Sequence, residues 1–448
     1  MKKLIRITTV PLSLDKLLGE QLTYVNQFFD VTAVSADKKE LKRVADKYGV
    51  KHFHVEMTRT ISPFKDAVAV WHLYHFLRKQ KPDMVHSHTP KAGIVAMMAA
   101  WLAGVPHRFH TVAGLPLLES EGSKRTLLNH IEKLTYRLAT KVYPNSFELQ
   151  KIIVKANFCA PEKMKVIGKG SSNGIDTDHF SPTQITATAQ ENLRKQLGLS
   201  KEDFVFIFVG RLVKDKGINE LITAFKDLAS TIATSNHEVN SNSPHPSSII
   251  HHPSSINHQP SLETPNPESN LNPQSRTSHP APDTPHPTPH TPHPAPRTLK
   301  LLLVGPLEQD LDPLKPETLH EIETNPDIIS VGFQEEVRPY FALSNALVFP
   351  SYREGFPNVV LQSLAMELPA IVTDINGCNE IITHVNNGLI VPVKDEQALQ
   401  NAMQQLSTDS SLYQSLKSNT RESIAPYEQA KVWEALLAEY QAATPTQN

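Results

Sequence analysis

The first part of the chain alternates short apolar runs with longer amphipathic stretches. In Asp66–Lys79, for example, Val70, Leu73, Tyr74 and Leu77 recur at the spacing of one helix face. Strands are predicted from the apolar runs at 4–10, 31–34, 50–55, 84–88, 105–111, 140–144 and 165–169. The repetition of strand, loop and helix is typical of a doubly wound parallel sheet.

A second series of strand–helix units begins at Asp203. Its strands are predicted at 204–209, 299–304, 327–331, 346–350, 370–374 and 388–393. Between its first helix, predicted at Ile218–Ala229, and the strand at 299, residues 234–297 consist mainly of Pro, His, Ser, Asn and Thr. Such a segment cannot bury a core, and we predict a disordered insertion whose histidines form no regular metal site.

The predicted fold class is therefore α/β, in two domains, as the length of 448 residues also favours. We expect an N-terminal domain at 1–180 and a C-terminal domain at 181–426 that carries the insertion. Residues 427–448 are predicted to form a helix that packs back toward the N-terminal domain, followed by a tail.

The net charge of −2 hides a division between the two parts of the chain. Residues 1–180 contain 27 Lys and Arg against 16 Asp and Glu, whereas the remainder contains 17 against 30. A basic half favours an anionic partner, such as a membrane surface or a phosphate-bearing substrate. Nucleic acid is disfavoured because no basic motif with interleaved aromatic residues is present.

Two cysteines, distant in sequence, provide no disulfide framework and favour a reducing compartment. The longest apolar run, Ala92–Val105, is too short to cross a bilayer. We read the N-terminus as a strand rather than a signal peptide, and expect a cytoplasmic protein at the inner face of the plasma membrane.

A basic amphipathic helix is predicted within 112–137, and its apolar face has two interpretations. Its apolar residues are Leu127, Leu128, Ile131 and Leu134, and they could face either the protein core or lipid. In the second case the nearby basic residues would meet anionic headgroups. These residues are Lys124, Arg125, Lys133 and Arg137.

Candidate chemistry is concentrated in Ser351–Glu380. Glu354 follows a predicted strand and precedes a helix predicted to start at Pro357 and to stop before Pro369. Arg211 and Lys216 follow another strand of the same series, and carboxyl ends of parallel strands line one crevice. Two cations and the free amides of a helix start suit a diphosphate. The carboxylate needs a different partner, such as ligand hydroxyls, so the set describes a nucleotide-sugar site.

The motifs that carry this chemistry resemble those of family 4 glycosyltransferases with the GT-B fold. The resemblance lies in GRLVKDKG, VGF and REGFPNVVLQSLAMELPAIVTDINGCNEII. In the first half, HSHTPKAG, RFHTVAGLP and KLTYRLATKVYPNS are similar to bacterial members that build surface polysaccharide on lipid-diphosphate carriers. The resemblance implies two Rossmann-like domains that face each other across a cleft. It also implies retaining transfer from a nucleotide-diphosphate sugar, UDP-linked in our expectation, to a lipid-diphosphate-linked saccharide in capsule, O-antigen or exopolysaccharide synthesis, without a metal or cofactor.

The resemblance also implies roles for individual residues. The catalytic candidates are His110, which would face the donor phosphate and sugar, and Glu354, which would contact donor-sugar hydroxyls. Donor-binding residues are implied at Gly19, Arg211, Lys216, Gly332, Phe333, Gly355, Phe356, Pro357, Asn358, Val359 and Gln362. Lys91 is the candidate ligand of an acceptor phosphate.

The chain departs from the family pattern at two positions. Gln362 replaces the second glutamate of the family's Glu-x7-Glu motif, which contacts ribose, although an amide can still bond ribose hydroxyls. Glu367 stands where a helix-ending glycine is usual, and Glu380 follows in a loop where a structural role is equally open.

Two alternative functions remain. One is another enzyme of the same fold, a nucleotide-sugar epimerase or a glycogen-type synthase. The other is an inactive glycosyltransferase-like binding protein, which Gln362 motivates. The partners expected under the main interpretation are a nucleotide-sugar donor, a lipid-linked saccharide acceptor and an anionic membrane surface, with no nucleic acid.

Overall fold

Two parallel six-stranded sheets carry the fold of this computed structural model, which describes residues 1–58, 62–115, 117, 121–241, 298–310 and 312–444, with side chains omitted at 233–241. The chain divides into one unit of Met1–Ser230 with Ala295–Asn448, which contains both sheets, and a second of Thr231–Pro294. The predicted disordered insertion therefore lies outside the described residues, apart from the backbone of a helix that continues to Ser241.

The first sheet has the strand order β3-β2-β1-β4-β5-β6. Its strands are β1 (Lys3–Ile7), β2 (Asp30–Ser35), β3 (Lys51–His54), β4 (Met84–Ser87), β5 (His107–Val112) and β6 (Lys141–Pro144). Helices cover both faces, which is why its central strands β1 and β4 are buried along almost their whole length. The strand predicted at 165–169 is absent, and only an isolated bridge pairs Val142 with Met164. Left-handed backbone at Gly168 and Gly170 turns the chain there before a strand can form.

The helices around the first sheet begin with α1 (Pro11–Ser13), a π-helical turn (Leu14–Leu18), α2 (Gln21–Asn26) and α3 (Lys38–Tyr48). They continue with α4 (Pro63–Gln80), α5 (Pro90–Leu102), α6 (Gly122–Leu138) and α7 (Phe147–Lys155). Helices α4, α5 and α6 contribute to one core, and α2 and α3 to the core on the other face.

The second sheet has the order β12-β11-β10-β7-β8-β9. Its strands are β7 (Phe204–Val209), β8 (Leu299–Val304), β9 (Ile328–Ser330), β10 (Ala346–Phe349), β11 (Ala370–Thr373) and β12 (Gly388–Val391). Its helices are α8 (Ala187–Gln196), α9 (Ile218–Ser241), α10 (Pro316–Thr324), α11 (Arg338–Leu343), α12 (Asn358–Ala365), α13 (Cys378–Ile381), α14 (Glu396–Thr408), α15 (Ser410–Ser418) and α16 (Thr420–Ile424). Among the described residues, no helix is long and apolar enough to cross a bilayer.

The last described helix, α17 (Gln429–Ala443), packs on the first sheet rather than the second. Leu436, Leu437 and Tyr440 join the core that also contains Leu4 and Phe109. The two segments that connect the sheets run side by side. Their backbones pair because Ile175 N donates to Tyr427 O at 2.9 Å and Gln429 N donates to Ile175 O at 3.0 Å.

Helix α12 differs at its start from the helix that the sequence predicts. Pro357 is the N-cap residue rather than the first helical residue, because its ψ of 105° is extended. The helix is followed by Glu367 at φ 61°, the left-handed conformation for which glycine is usual. Glu367, which takes the place of glycine, therefore stores backbone strain at this position.

Candidate active site

A half-buried ion pair joins the ends of the two central strands of the second sheet. Lys216 lies in the turn after β7, Glu354 lies in the loop after β10, and Lys216 Nζ is 2.5 Å from Glu354 Oε1. Each side chain is only 17% exposed. Ser351 Oγ donates to the same carboxylate oxygen at 3.0 Å, which fixes its position further. Because β7 and β10 are paired neighbours, the carboxyl ends of adjacent parallel strands bring this cation and anion together.

The pair lies in a cleft of about 310 Å³ that residues from both sheets line. From the second sheet come Val209, Gly210, Lys216, Phe349, Glu354, Gly355, Phe356, Pro357, Asn358 and Val359. From the first come Leu17, Ala113, Asn145 and Ser172. The start of α12 points its free backbone N–H groups toward this end of the sheet, and such a helix start attracts anions. The predicted residues Lys216 and 354–359 are thus brought together.

The two sheets meet most closely at Gly355. A Cβ atom on this residue would lie 1.6 Å from the carbonyl oxygen of Ala113, which is far too short for two atoms that are not bonded to each other. Gly114 also lies against Gly355. Glycine is required at 355 for this close approach of the two backbones.

Four predicted donor-site residues of the second half do not line the cleft. Arg211 is 42% exposed and donates to Glu308 Oε2 at 3.1 Å. The carbonyl of Gly332 accepts from Gly305 N at 2.8 Å, and the side chain of Phe333 is exposed at the end of β9. Gln362 lies half-buried on α12.

His110 lies in the core of the first sheet rather than in the cleft. Its side chain is 2% exposed, and its Nδ1 lies 2.8 Å from Ser87 Oγ. Helix α5 closes over the ring at Gly93, where a Cβ would lie 2.6 Å from the imidazole. Burial lowers the pKa of His110 to about 4, so the ring is neutral at pH 7. This geometry is as compatible with a structural histidine in the core as with contact to a donor.

Two further candidates from the first half also lie away from the lining of the cleft. Lys91 Nζ, at the start of α5, is 2.5 Å from Asp66 Oδ2 and its side chain is 10% exposed. Gly19 follows the π-helical turn at φ 49°, and the cleft is instead lined by Leu17, two residues earlier.

Several cleft residues were not predicted from the sequence. Asn145 follows β6 directly, so the strand-end argument that identifies Glu354 would have identified it as well.

Glu380 has a clear structural contact across the two sheets. Its carboxylate accepts from Phe147 N at 2.7 Å and Glu148 N at 3.1 Å, at the N-terminus of α7. A carboxylate in this position stabilises a helix start.

Comparison with known proteins identifies the family. Residues 22–170 match the profile described as "Glycosyl transferase 4-like domain". Residues 189–240 and 290–409 match profiles described as "Glycosyl transferases group 1". The capsular polysaccharide biosynthesis glycosyltransferase CapM of Staphylococcus aureus is 28% identical over 440 residues, covering 98% of this chain and 97% of that protein.

A second relative and a solved structure agree. The UDP-Gal:alpha-D-GlcNAc-diphosphoundecaprenol alpha-1,3-galactosyltransferase of Escherichia coli is 26% identical over 385 residues, covering 86% of this chain and 81% of that protein. The crystal structure of Anabaena Alr3699/HepE in complex with UDP and glucose superposes with a TM-score of 0.68 at 16% identity, covering 99% and 100% of the two chains. The chain is a glycosyltransferase of the GT-B fold, with a glycosyl transferase 4-like region in its first half and glycosyl transferases group 1 regions in its second.

Proposed function

We propose that this glycosyltransferase transfers a sugar, with retention of configuration, from a UDP-linked donor to a lipid-diphosphate-linked saccharide in surface polysaccharide synthesis. The carrying observation is the Lys216–Glu354 pair, held beside the start of α12 in a cleft that both sheets line. The acceptor class is supported by the E. coli relative, which is named for a diphosphoundecaprenol saccharide as its acceptor. UDP is supported as the donor nucleotide by the same relative and by the Anabaena complex.

In this proposal the donor diphosphate binds between Lys216 and the amides at the start of α12, with Arg211 at the entrance. Its charge increases as the sugar–phosphate bond breaks, and preorganised cations and dipoles stabilise that charge in a site with little water. Glu354 is freed from part of its ion pair and accepts hydrogen bonds from donor-sugar hydroxyls. Contact at Gly355 excludes water from the reacting centre. No metal is required, because protein groups supply the positive charge.

The acceptor is assigned to the basic first domain, with Lys91 as a phosphate ligand. In the unliganded protein Asp66 neutralises this lysine at 2.5 Å. A doubly charged phosphate at the start of α5 would compete with Asp66 for Lys91 and would also meet the free N–H groups of the helix start.

We further propose that helices α4, α5 and α6 dock on an anionic membrane surface. Their exposed apolar side chains are Phe64, Val68, Trp71, Trp101, Leu102, Leu127 and Leu134. A surface pocket of about 490 Å³ lies between α5 and α6 and is lined by Met98, Trp101, Leu102, Leu134, Arg137 and Leu138. An apolar patch of this kind beside basic residues suits the interface of an anionic bilayer.

The transfer assay tests the main proposal. Purified protein is incubated with a panel of labelled nucleotide-sugars and a lipid-diphosphate saccharide, with and without EDTA. We expect transfer from one UDP-sugar that EDTA leaves unchanged, and an α-linked product when the donor is α-linked, determined by NMR. Inversion would exclude retention, and loss of transfer in EDTA would exclude the metal-free site. Donor binding without transfer would favour the inactive binding protein, and epimerised donor would favour the epimerase.

Co-sedimentation with liposomes tests the membrane surface. We expect binding to anionic vesicles that weakens as salt rises, because surface attraction is screened. The double variant Trp101→Glu, Leu134→Glu should lose binding. The control Leu307→Glu changes an equally exposed leucine outside these three helices and should bind like the wild type. Equal binding of both variants, or no binding by the wild type at low salt, would refute the assignment.

A further inference from the structure

Arg6, on β1, is a fully buried cation whose hydrogen-bond partners are all neutral. Its side chain has 0% exposure. Nε donates to His88 Nε2 at 3.0 Å, and Nη2 donates to Gln21 Oε1 at 2.7 Å. Burial lowers the pKa of both His86 and His88 well below the usual value, so neither ring adds charge at pH 7. Within the described part of the chain, no ion pair includes Arg6.

Such an arrangement is unfavourable for stability alone. A buried charge without a counter-ion carries a desolvation penalty that an apolar side chain of similar volume avoids. Three buried polar atoms in this region also have no hydrogen-bond partner: Arg6 Nη1, His88 Nδ1 and Asn145 Oδ1. Unsatisfied buried groups that cluster in one place point to a role other than packing.

The cluster borders the cleft. A small internal cavity, about 20 Å³, is lined by Gln21, His86, His88, Thr111, Asn145 and Ser172 among others. Asn145 and Ser172 line the cleft as well. A chain of hydrogen bonds leads in the same direction, because Gln21 accepts from Arg6 and donates through Nε2 to Ser172 O at 3.2 Å. The guanidinium is thus connected to the wall of the cleft through one side chain.

We propose that Arg6 is a positioning residue whose fixed charge holds a diphosphate in the cleft, so that the substrate supplies the missing counter-ion. The inference rests on the proposed function for the presence of a diphosphate, and it adds a first-sheet cation to the second-sheet pair. The diphosphate could belong to the donor or to the lipid acceptor. Low dielectric between a buried charge and its partner keeps such an attraction effective without direct contact.

Binding measurements with three probes test it: UDP for the donor, farnesyl diphosphate for the acceptor, and inorganic diphosphate for the shared chemistry. Arg6→Met removes the charge at similar volume. Gln21→Glu keeps Arg6 but places a neutralising carboxylate on it with almost no change of shape. Both should raise the Kd of inorganic diphosphate and of one organic probe about tenfold, as expected for loss of one partly screened charge. The organic probe affected identifies the source.

A matched control is Arg108→Met. Arg108 lies on the same sheet and donates to the carbonyls of Leu138 and Val105, each at 2.7 Å. This variant should lower the melting temperature and leave all three Kd values unchanged. Arg6→Lys, which keeps the charge, should bind inorganic diphosphate more tightly than Arg6→Met.

The outcomes separate this inference from the proposed function. If the wild type transfers sugar but Gln21→Glu binds every probe like the wild type, the inference is wrong and the transferase assignment stands. Absence of diphosphate binding in the wild type would also refute it. If Arg6→Met does not fold, Gln21→Glu decides alone, because it keeps the hydrogen bond from Arg6 Nη2 and loses only the longer bonds that Gln21 Nε2 donates to Ser172 O and Asn173 Oδ1. If the variants bind diphosphate more weakly than the wild type, but the wild type transfers no sugar, the role of Arg6 is supported and the transferase proposal is refuted.

Discussion

The two sheets treat charge in opposite ways. Among its described Asp, Glu, His, Lys and Arg residues, the first buries five: Arg6, His86, His88, His110 and Glu132. Among the described residues of the second sheet and its helices, only one buried carboxylate corresponds to them, Asp203, which accepts from Thr298 Oγ1 at 2.5 Å. Charges around the cleft on that side are instead paired and partly open to solvent. These pairs are Lys216–Glu354, Arg211–Glu308 and Arg353–Asp215.

The difference shows how one cleft combines two kinds of electrostatics. Ion pairs that remain partly accessible contribute little to stability, so a ligand can exchange partners with them at small cost. A charge enclosed in the core cannot move or be screened, and it acts on the cleft at a fixed distance. We therefore expect substitutions in the second sheet to have the largest effects on transfer, and substitutions in the first to have smaller effects on binding together with effects on stability and its pH dependence.

The largest expected effect is that of Lys216→Ala. Removing the cation from the diphosphate site should lower kcat/KM for transfer by about 10²–10³-fold, the range for loss of one preorganised electrostatic contact. The free energy of unfolding should change little, because the pair with Glu354 is partly solvated. Steady-state kinetics with varied donor concentration measures the effect.

A suitable control is Lys226→Ala, which breaks an exposed ion pair to Glu321 at 3.0 Å in the same half of the molecule. Its kinetics should match those of the wild type. Near-normal transfer by Lys216→Ala would contradict the interpretation that Lys216 exchanges Glu354 for the donor diphosphate. It would also leave the cleft without an assigned cation.

The second prediction concerns Glu132, buried on the inner side of α6. Burial raises the pKa of its carboxyl to about 7, above the ordinary value of 4.5. The folded chain therefore keeps this proton where the unfolded chain has lost it, and stability falls as pH rises from about 4.5 to about 7. Over that pH range the full shift lowers the free energy of unfolding by about 3 kcal/mol.

Urea unfolding at pH 5 and pH 8 measures this contribution when the wild type is compared with Glu132→Gln. The buried histidines contribute with the opposite sign, because their lowered pKa values make stability rise with pH. Their contribution is common to both proteins, so the difference isolates Glu132. The variant should gain stability relative to the wild type at pH 8. Parallel pH profiles would show that the carboxyl is solvated in solution.

The smallest predicted effect is that of Glu380→Ala, which removes the carboxylate of one half from the helix start of the other. We expect a loss of about 1 kcal/mol, the usual contribution of a helix cap, together with a larger radius of gyration in small-angle scattering. The control Asp395→Ala removes a cap within one half, since Asp395 accepts from Ala398 N at 2.9 Å. It should lose similar stability at unchanged dimensions. Identical scattering from both variants would show that Glu380 does not hold the halves together.

The strands and helices were predictable from the sequence where periodicity is local. Strands β7 and β8 have the bounds that the sequence predicts. The adjacency of Lys216 and Glu354 was also predictable, because it follows from the strand order of a parallel sheet. The false strand at 165–169 shows the limit, since its apolar pattern is overruled by two glycines in left-handed conformation.

What the sequence did not predict depends on contacts between distant residues. The contact of Glu380 with α7 joins positions more than 230 residues apart. The burial of Arg6 contradicts its polar character, because helices cover both faces of a parallel sheet. His110 illustrates the same limit. A histidine at a strand end can point into a cleft or into a core, and only the packing of α5 determines which of the two it does.

The paired connections at Ile175 and Tyr427–Gln429 have a consequence for evolution and engineering. Since the chain leaves the first sheet and returns to it with α17, the part of the chain that carries the second sheet is an internal block whose two ends lie side by side. A block of this kind can be replaced as a cassette between two adjacent joints, with both flanks kept. Exchanging the residues between these two joints would thus be a way to transfer donor specificity between relatives. A single crossover between the halves would instead place α17 against the first sheet of a different protein.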